Sequence, residues 1–555
     1  MGPQQVTGRA ARSLAAAGAV VAVLTLLSRV VGLGRWLAFS HEVGAGCVGS
    51  AYATANTVPN VLYEVAAGGA LAAVAVPLVA GHLAREDDTS ADQVVSALLT
   101  WALVVLVPAG VLLALLADPV AGALTGPGGC AGQRELVTRM LWWFAPQIPL
   151  YGIGVVAAGA LQARRRFTWP ALAPLLSSLV VIAAYLTYGA LTRPSEPSPA
   201  PGALVALAGG TTLGVVALSL PLLVPLVRDG VRLRPTLRLP AGEAARARAL
   251  AGAGLVALLA QQAAVLGTVW LAQHRGGVGA LNAYQYLQAV YVLPHAVLAV
   301  PVATAVFPAL SGAPHAPGAP GEADPAVAAR LSGALRVVVA AGSLGAAVLV
   351  GTGPTVGRFF ATLDASRHQA RAAHPADHAI DLAATIGPGL TSFAPGLVGL
   401  GLLALLTRAT YVRGRARTAA GWTAAGWTLA LVIPLLVTRP GVGAASVLVA
   451  LGVGSSVGMT VAALGLLAAV RATWGAAGVR GVGRALAGAL PAVTLGGLAG
   501  RALGTVLPAP IGAWAAVATG FACAAAASVI WAPVVRVVDR ESARTLVRRL
   551  SRARG

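Results

Sequence analysis

The sequence predicts an all-α polytopic membrane protein of about fourteen transmembrane helices, arranged as two six-helix lobes plus a C-terminal helix pair. Three observations carry this prediction. The 555 residues have a mean hydropathy of +0.79 and only 10% are charged, too little polar surface for a soluble chain of this size. Apolar runs of about 20 residues, the length needed to cross the hydrocarbon core, recur along the whole chain. The arginines are concentrated in alternate breaks between those runs.

Taken in order, the runs fall at residues 14–39, 50–82, 92–117, 137–163, 168–191 and 202–227, then 249–273, 280–311, 328–352, 383–407, 418–437 and 443–470. The last pair is 482–505 and 510–535. The first run is too long for the core of a signal peptide and is followed by many equal ones. The domain reading is an N-terminal lobe at 1–228, a basic cytoplasmic linker at 229–248 and a C-terminal lobe at 249–471. The final helix pair occupies 472–538 and a basic tail 539–555, read as a membrane-surface helix. Paired six-helix halves around a central site are a recurrent transporter plan. Segments 193–202 and 312–325 are Pro-rich and read as extended spacers.

With the N-terminus inside, 27 of the 39 arginines fall in inner segments and nine in outer ones, leaving Arg29, Arg35 and Arg336 within spans. That bias predicts a plasma-membrane protein with both termini cytoplasmic. It also assigns the net charge of +21 to anionic membrane lipids rather than to nucleic acid. The chain contains no lysine, which excludes a Walker-type phosphate loop and a Schiff base. No nucleophile–base constellation is visible, so a transporter is expected and an enzyme is not. Cys47 and Cys130 both fall in outer loops and are either a disulfide or two unpaired thiols.

The candidate functional residues are polar groups inside the spans. A cation in the hydrocarbon core costs about 3 kcal/mol on insertion scales unless it faces a wet cavity or a partner. Arg29 and Arg35 in the first run therefore predict a cavity built for an anion, although they lie about 120° apart around an ideal helix. In the second run Asn56, Asn60 and Glu64 share one face, with Tyr63 beside them. Pro59 removes a backbone hydrogen bond, and Gly68-Gly69 lowers helix stiffness, which marks a hinge. The competing reading is a buried Arg–Glu pair that only fixes helix packing. In the eighth run Gln285 and Gln288 are candidates for a further cavity wall, or for hydrogen bonding between spans, as are Gln261 and Gln262 in the seventh. His374 and His378 have helical metal spacing in a polar outer loop beside Asp377, but a lone HxxxH is weak evidence, so no metal is expected.

Several segments resemble one family. Ser28-Arg29-Val30-Val31-Gly32-Leu33-Gly34-Arg35, Pro59-Asn60, GGALAAVAVPLVAGHL at 68–83, APQIPLYGIGVVAAGALQARRRFTWPALAPLL at 145–176 and NAYQYLQAVYVLPHAVLAVPVATAVFPALS at 282–311 are similar to the MurJ/MviN lipid II flippases. The Tyr63-Glu64 pair resembles actinobacterial members. The resemblance implies the fold of the multidrug/oligosaccharidyl-lipid/polysaccharide exporter superfamily, with the final helix pair forming a groove for a lipid tail. It implies a cargo of undecaprenyl-pyrophosphate-linked disaccharide-pentapeptide (lipid II) or a related polyprenyl-pyrophosphate lipid, moved by alternating access. Arg29 and Arg35 match the family's first-helix arginines, implied to meet the pyrophosphate, and cell-wall synthesis proteins become candidate partners. Further basic positions of several members are Thr57, Tyr63 and Ala289 here, and an acidic one is Ser50. These departures keep open a paralogous flippase for another polyprenyl-linked glycan. A drug or cation antiporter of the superfamily and a non-transporting cell-wall assembly scaffold are the other classes. No cofactor is expected, and coupling is to the membrane potential or to a monovalent cation.

Overall fold

Among the described residues of the computed structural model, twelve helices are long and apolar enough to cross a membrane. A thirteenth span is the pair Leu382–Phe393 and Gly396–Val412, bent by 46° at the intervening Ala394-Pro395. The structure describes residues 3–65, 71–127, 129–192, 200–252, 254–311, 324–368, 380–508 and 512–538. Among these every regular element is helical. The expected second span, 50–82, is two shorter helices, Cys47–Tyr63 and Ala72–Leu83, on either side of residues outside the described ones. The count of fourteen is therefore approximate: the described residues hold twelve spans, or thirteen with the bent pair. Gly68 and Gly69, the HPADH segment, most of both Pro-rich loops and the basic tail lie outside the described residues.

The chain divides into two compact units: Met1–Thr125 with Cys130–Leu255 and Arg367–Asp377, and Gly126–Gly129 with Val256–Ser366 and His378–Gly555. In the first unit, Asp87 caps the Asp88–Leu115 helix by accepting a hydrogen bond from the Ser90 amide at 3.0 Å. That bond holds the Asp87 carboxyl below its usual range. Pro201 opens the Pro201–Ser219 helix at a position where no backbone donor is needed. Cys47 and Cys130, 83 residues apart in sequence, form a disulfide with a Cα–Cα distance of 5.8 Å. The unit's interior is aromatic: Phe39, Tyr52, Phe144 and Tyr185 pack with ring centroids 5.3–5.9 Å apart. The Tyr52 hydroxyl is satisfied by Tyr185 at 2.9 Å and Thr211 at 3.0 Å.

The segment following Arg228 runs extended along the Asp88–Leu115 helix. Asp92, Ser96 and Thr100, spaced one turn apart, accept the backbone amides of Arg232, Arg234 and Thr236 at 2.9–3.1 Å. The Trp101 indole donates to the Leu237 carbonyl at 3.1 Å. An extended backbone is thus satisfied by helix side chains, leaving Arg232, Arg234 and Arg238 exposed.

In the second unit, small residues let helices approach closely. Gly351 and Gly500 meet so tightly that a Cβ added at Gly351 would lie 3.1 Å from the Gly500 Cα. The Trp531 indole of the Ala513–Val538 helix donates to Ser343 of the Pro325–His368 helix at 3.1 Å. The expected eighth span is two helices, Ala280–Pro294 and Val300–Ser311, joined by a wide π-type turn at His295–Ala299 immediately after Pro294. The expected ninth span, 328–352, continues as helix from Pro325 to His368.

Candidate functional site

The Cys47–Tyr63 helix buries Gly49–Ala55, Val58, Pro59 and Val61, while Asn56, Thr57, Asn60 and Tyr63 are less covered and Glu64 beyond them is exposed. A helix inside a membrane protein that leaves its polar face uncovered is lining something wet. Pro59 is buried within this helix, which continues through it and widens to a π-type turn at Glu64-Val65.

The Gln147–Ala163 helix stands against that face. The Tyr151 hydroxyl donates to Asn60 Oδ1 at 3.0 Å, and the Tyr63 and Tyr151 rings lie 4.5 Å apart. Arg35, on the first helix, is half-buried, and its guanidinium lies 5.9 Å over the Trp36 ring. Neither Arg29, Arg35 nor Glu64 makes an ion pair among the described residues. The arrangement is therefore not a structural Arg–Glu pair. It is a half-buried cation with no internal salt bridge among the described residues.

The structure thus brings Asn60 and Tyr63 together at Tyr151, with Arg35 half-buried on the first helix of the same unit. Arg29, six residues earlier, is exposed, and Glu64 is exposed next to Tyr63. Thr57 directs its hydroxyl to the Ala53 carbonyl at 2.8 Å, and Ser50 accepts from Gln133 at 3.2 Å. Tyr151 was missed by sequence reasoning; the available signal was Gln147 and Tyr151, one turn apart in an otherwise apolar span.

In the second unit Gln288 hydrogen-bonds Tyr284, which also bonds Thr268 of the Leu255–Leu271 helix. The Thr268–Tyr284 contact joins two helices, whereas Gln288 and Tyr284 lie one turn apart on the same helix. Gln285 and Ala289 are half-buried on the Ala280–Pro294 helix, and Gln262 is buried. Asn282 is fully buried with no hydrogen-bond partner for its amide among the described residues.

The family model described as "Lipid II flippase MurJ" matches residues 39–499. The match begins after Arg29 and Arg35. The chain is 33% identical over 246 residues to "Probable lipid II flippase MurJ" of Synechocystis sp., covering 42% of this chain and 44% of that protein. It is 29% identical over 305 residues to "Lipid II flippase MurJ" of Burkholderia cenocepacia, covering 53% and 56%. The alignment thus spans about half the length of these curated relatives. The solved structure "Lipid II flippase MurJ, inward closed conformation" superposes with a TM-score of 0.69 at 16% identity, over 93% of this chain and 98% of that one. An inward-facing multidrug resistance MATE family transporter of the MOP superfamily gives 0.62 at 15%, over 82% and 98%. These two likenesses establish the fold, and the family match spans most of the chain: it belongs to the lipid II flippase MurJ family.

Proposed function

We propose that the protein is a lipid II flippase, moving undecaprenyl-pyrophosphate-linked disaccharide-pentapeptide across the cytoplasmic membrane by alternating access for cell-wall synthesis. The observation that carries this reading is Arg35, a half-buried cation in a membrane helix with no ion pair among the described residues, in the same unit as the Asn60–Tyr151 hydrogen bond. Its cost in that position is offset when a pyrophosphate arrives. Arg29, more exposed, draws the headgroup in, and Glu64 moderates the local charge. Gln285 is the half-buried polar residue of the second unit that we assign to cargo contact, whereas Gln288 is engaged with Tyr284.

The arginine bias places both termini in the cytoplasm, and Pro59 with Gly68-Gly69 serves as the hinge. The isoprenoid tail runs along the final helix pair. No nucleotide is consumed; the membrane potential, worth about 2.3 kcal/mol per charge per 100 mV, or a monovalent cation drives the cycle. Cell-wall synthesis proteins are the partners this role implies. Thr57 and Tyr63, standing where several relatives are basic, favour as a second reading a related polyprenyl-pyrophosphate cargo.

Complementation tests the proposal. Cells depleted of their own lipid II flippase are expected to grow when this chain is expressed, and to fail with Arg35→Ala at equal membrane abundance. Growth with Arg35→Ala would remove the residue from the cargo site; failure of well-expressed wild type would remove lipid II as cargo.

A further inference from the structure

One end of the first unit carries a cavity that the cargo reading does not use. About 340 Å³ in volume, it is lined by Arg166, Thr168, Trp169, Pro225, Arg228 and Asp229. The Asp229 carboxylate accepts from Nε and Nη2 of Arg166 at 3.0 and 2.9 Å, so these two charges cancel within the wall. Arg228 has no ion pair among the described residues. The Thr168–Leu191 helix begins at the same wall with no side chain capping it, and Pro170 brings no amide hydrogen. Its first amides, at Thr168 and Trp169, therefore add positive potential to the uncompensated guanidinium.

The cavity wants an anion, and its depth indicates which. Thr168 begins one membrane span and Arg228 ends another, so the site lies where headgroups are. Trp169 is half-buried and Phe167 exposed, the amphipathic aromatic arrangement suited to that layer. The volume is at the lower end of small-molecule sites, enough for a phosphodiester with a small alcohol. The exposed Arg232, Arg234 and Arg238, fixed on their extended segment, raise the local density of anionic lipid.

We propose that the cavity between Arg166, Trp169 and Arg228 binds the headgroup of an anionic glycerophospholipid. The proposal rests on the membrane spans at its edges and not on the identity of the transported cargo.

The test is native mass spectrometry of the full-length protein, titrated with phosphatidylglycerol and with phosphatidylcholine of matched chains. One phosphatidylglycerol is expected to bind about fivefold more tightly than phosphatidylcholine, the scale of one interfacial charge. Arg228→Gln should erase that preference, while Arg358→Gln, an exposed arginine elsewhere, should keep it. Arg166→Gln, which leaves the Asp229 carboxylate uncompensated, should also erase it and serves if Arg228→Gln fails to fold. No preference in the wild type, or an unchanged one in both variants, overturns the proposal. Inorganic phosphate failing to displace the lipid supports a lipid headgroup as ligand; displacement at millimolar phosphate would assign the site to a soluble phosphoryl compound and overturn it.

Discussion

At the residue scale the function turns on how polar groups inside a membrane are satisfied. Arg35 lacks an ion pair among the described residues, and the neighbouring wall is held by one interhelical hydrogen bond, Tyr151 to Asn60. Such a bond within the membrane contributes on the order of 0.6 kcal/mol, so it orients the wall more than it stabilises the fold. Tyr151→Phe is accordingly expected to leave thermal stability in detergent almost unchanged while slowing transport severalfold, because Asn60 loses its fixed orientation. Equal transport rates in a cell-based accessibility assay would show that the bond has no role in the site. The arginines were legible in the sequence because charge in an apolar run is conspicuous. Tyr151 was not, because its significance depends on which helix faces Asn60, and hydropathy carries no information about pairing.

At the element scale, two features make separate predictions. The Cys47–Cys130 disulfide closes a loop of 83 residues, and cross-links of that reach contribute about 4 kcal/mol in the chain-entropy model. Denatured, unreduced protein is expected to take up maleimide only at Cys523, and reduced protein at all three cysteines; uptake at three sites before reduction would contradict the bond. The Gly426–Gly458 contact joins the Ala416–Val437 and Gly443–Trp474 helices, and an added Cβ at Gly458 would run into the Gly426 carbonyl. Gly458→Val should therefore lower stability by roughly 1–3 kcal/mol, as overpacking does. Gly421→Ala, into open space on the same Ala416–Val437 helix, should be neutral or slightly stabilising. Thermal unfolding of the two variants in one detergent checks the pair, and equal effects would overturn the packing argument.

Most span boundaries could be read directly, because about 20 apolar residues are an unambiguous signal. The exceptions have physical causes. Hydropathy ends the ninth span near residue 352, yet the helix continues past Pro354 to His368, carrying Arg358 and Asp364 beyond the apolar stretch. Helical hydrogen bonding does not stop where hydrophobicity does. The bend at Ala394-Pro395 and the π-type turn at His295–Ala299 are changes of backbone geometry that leave apolar content intact.

At the scale of the whole molecule, composition, charge and fold agree. Arginine-rich loops flank apolar helices, two compact units divide the chain, and the family match is to lipid II flippase MurJ. Among the arginines, Arg29, Arg35 and Arg336 alone fall within the spans read from the sequence, and Thr57, Tyr63 and Ala289 are neutral. The proposed function therefore assigns most of the attraction for an anionic headgroup to Arg29 and Arg35. The most direct test measures the fraction of lipid II exposed at the outer face of flippase-depleted cells carrying wild type, Arg35→Ala or Arg35→Lys. The account predicts restored exposure with wild type, loss with Arg35→Ala and partial recovery with Arg35→Lys, which keeps the charge without the bidentate fork. Restored exposure with Arg35→Ala at equal expression would contradict it.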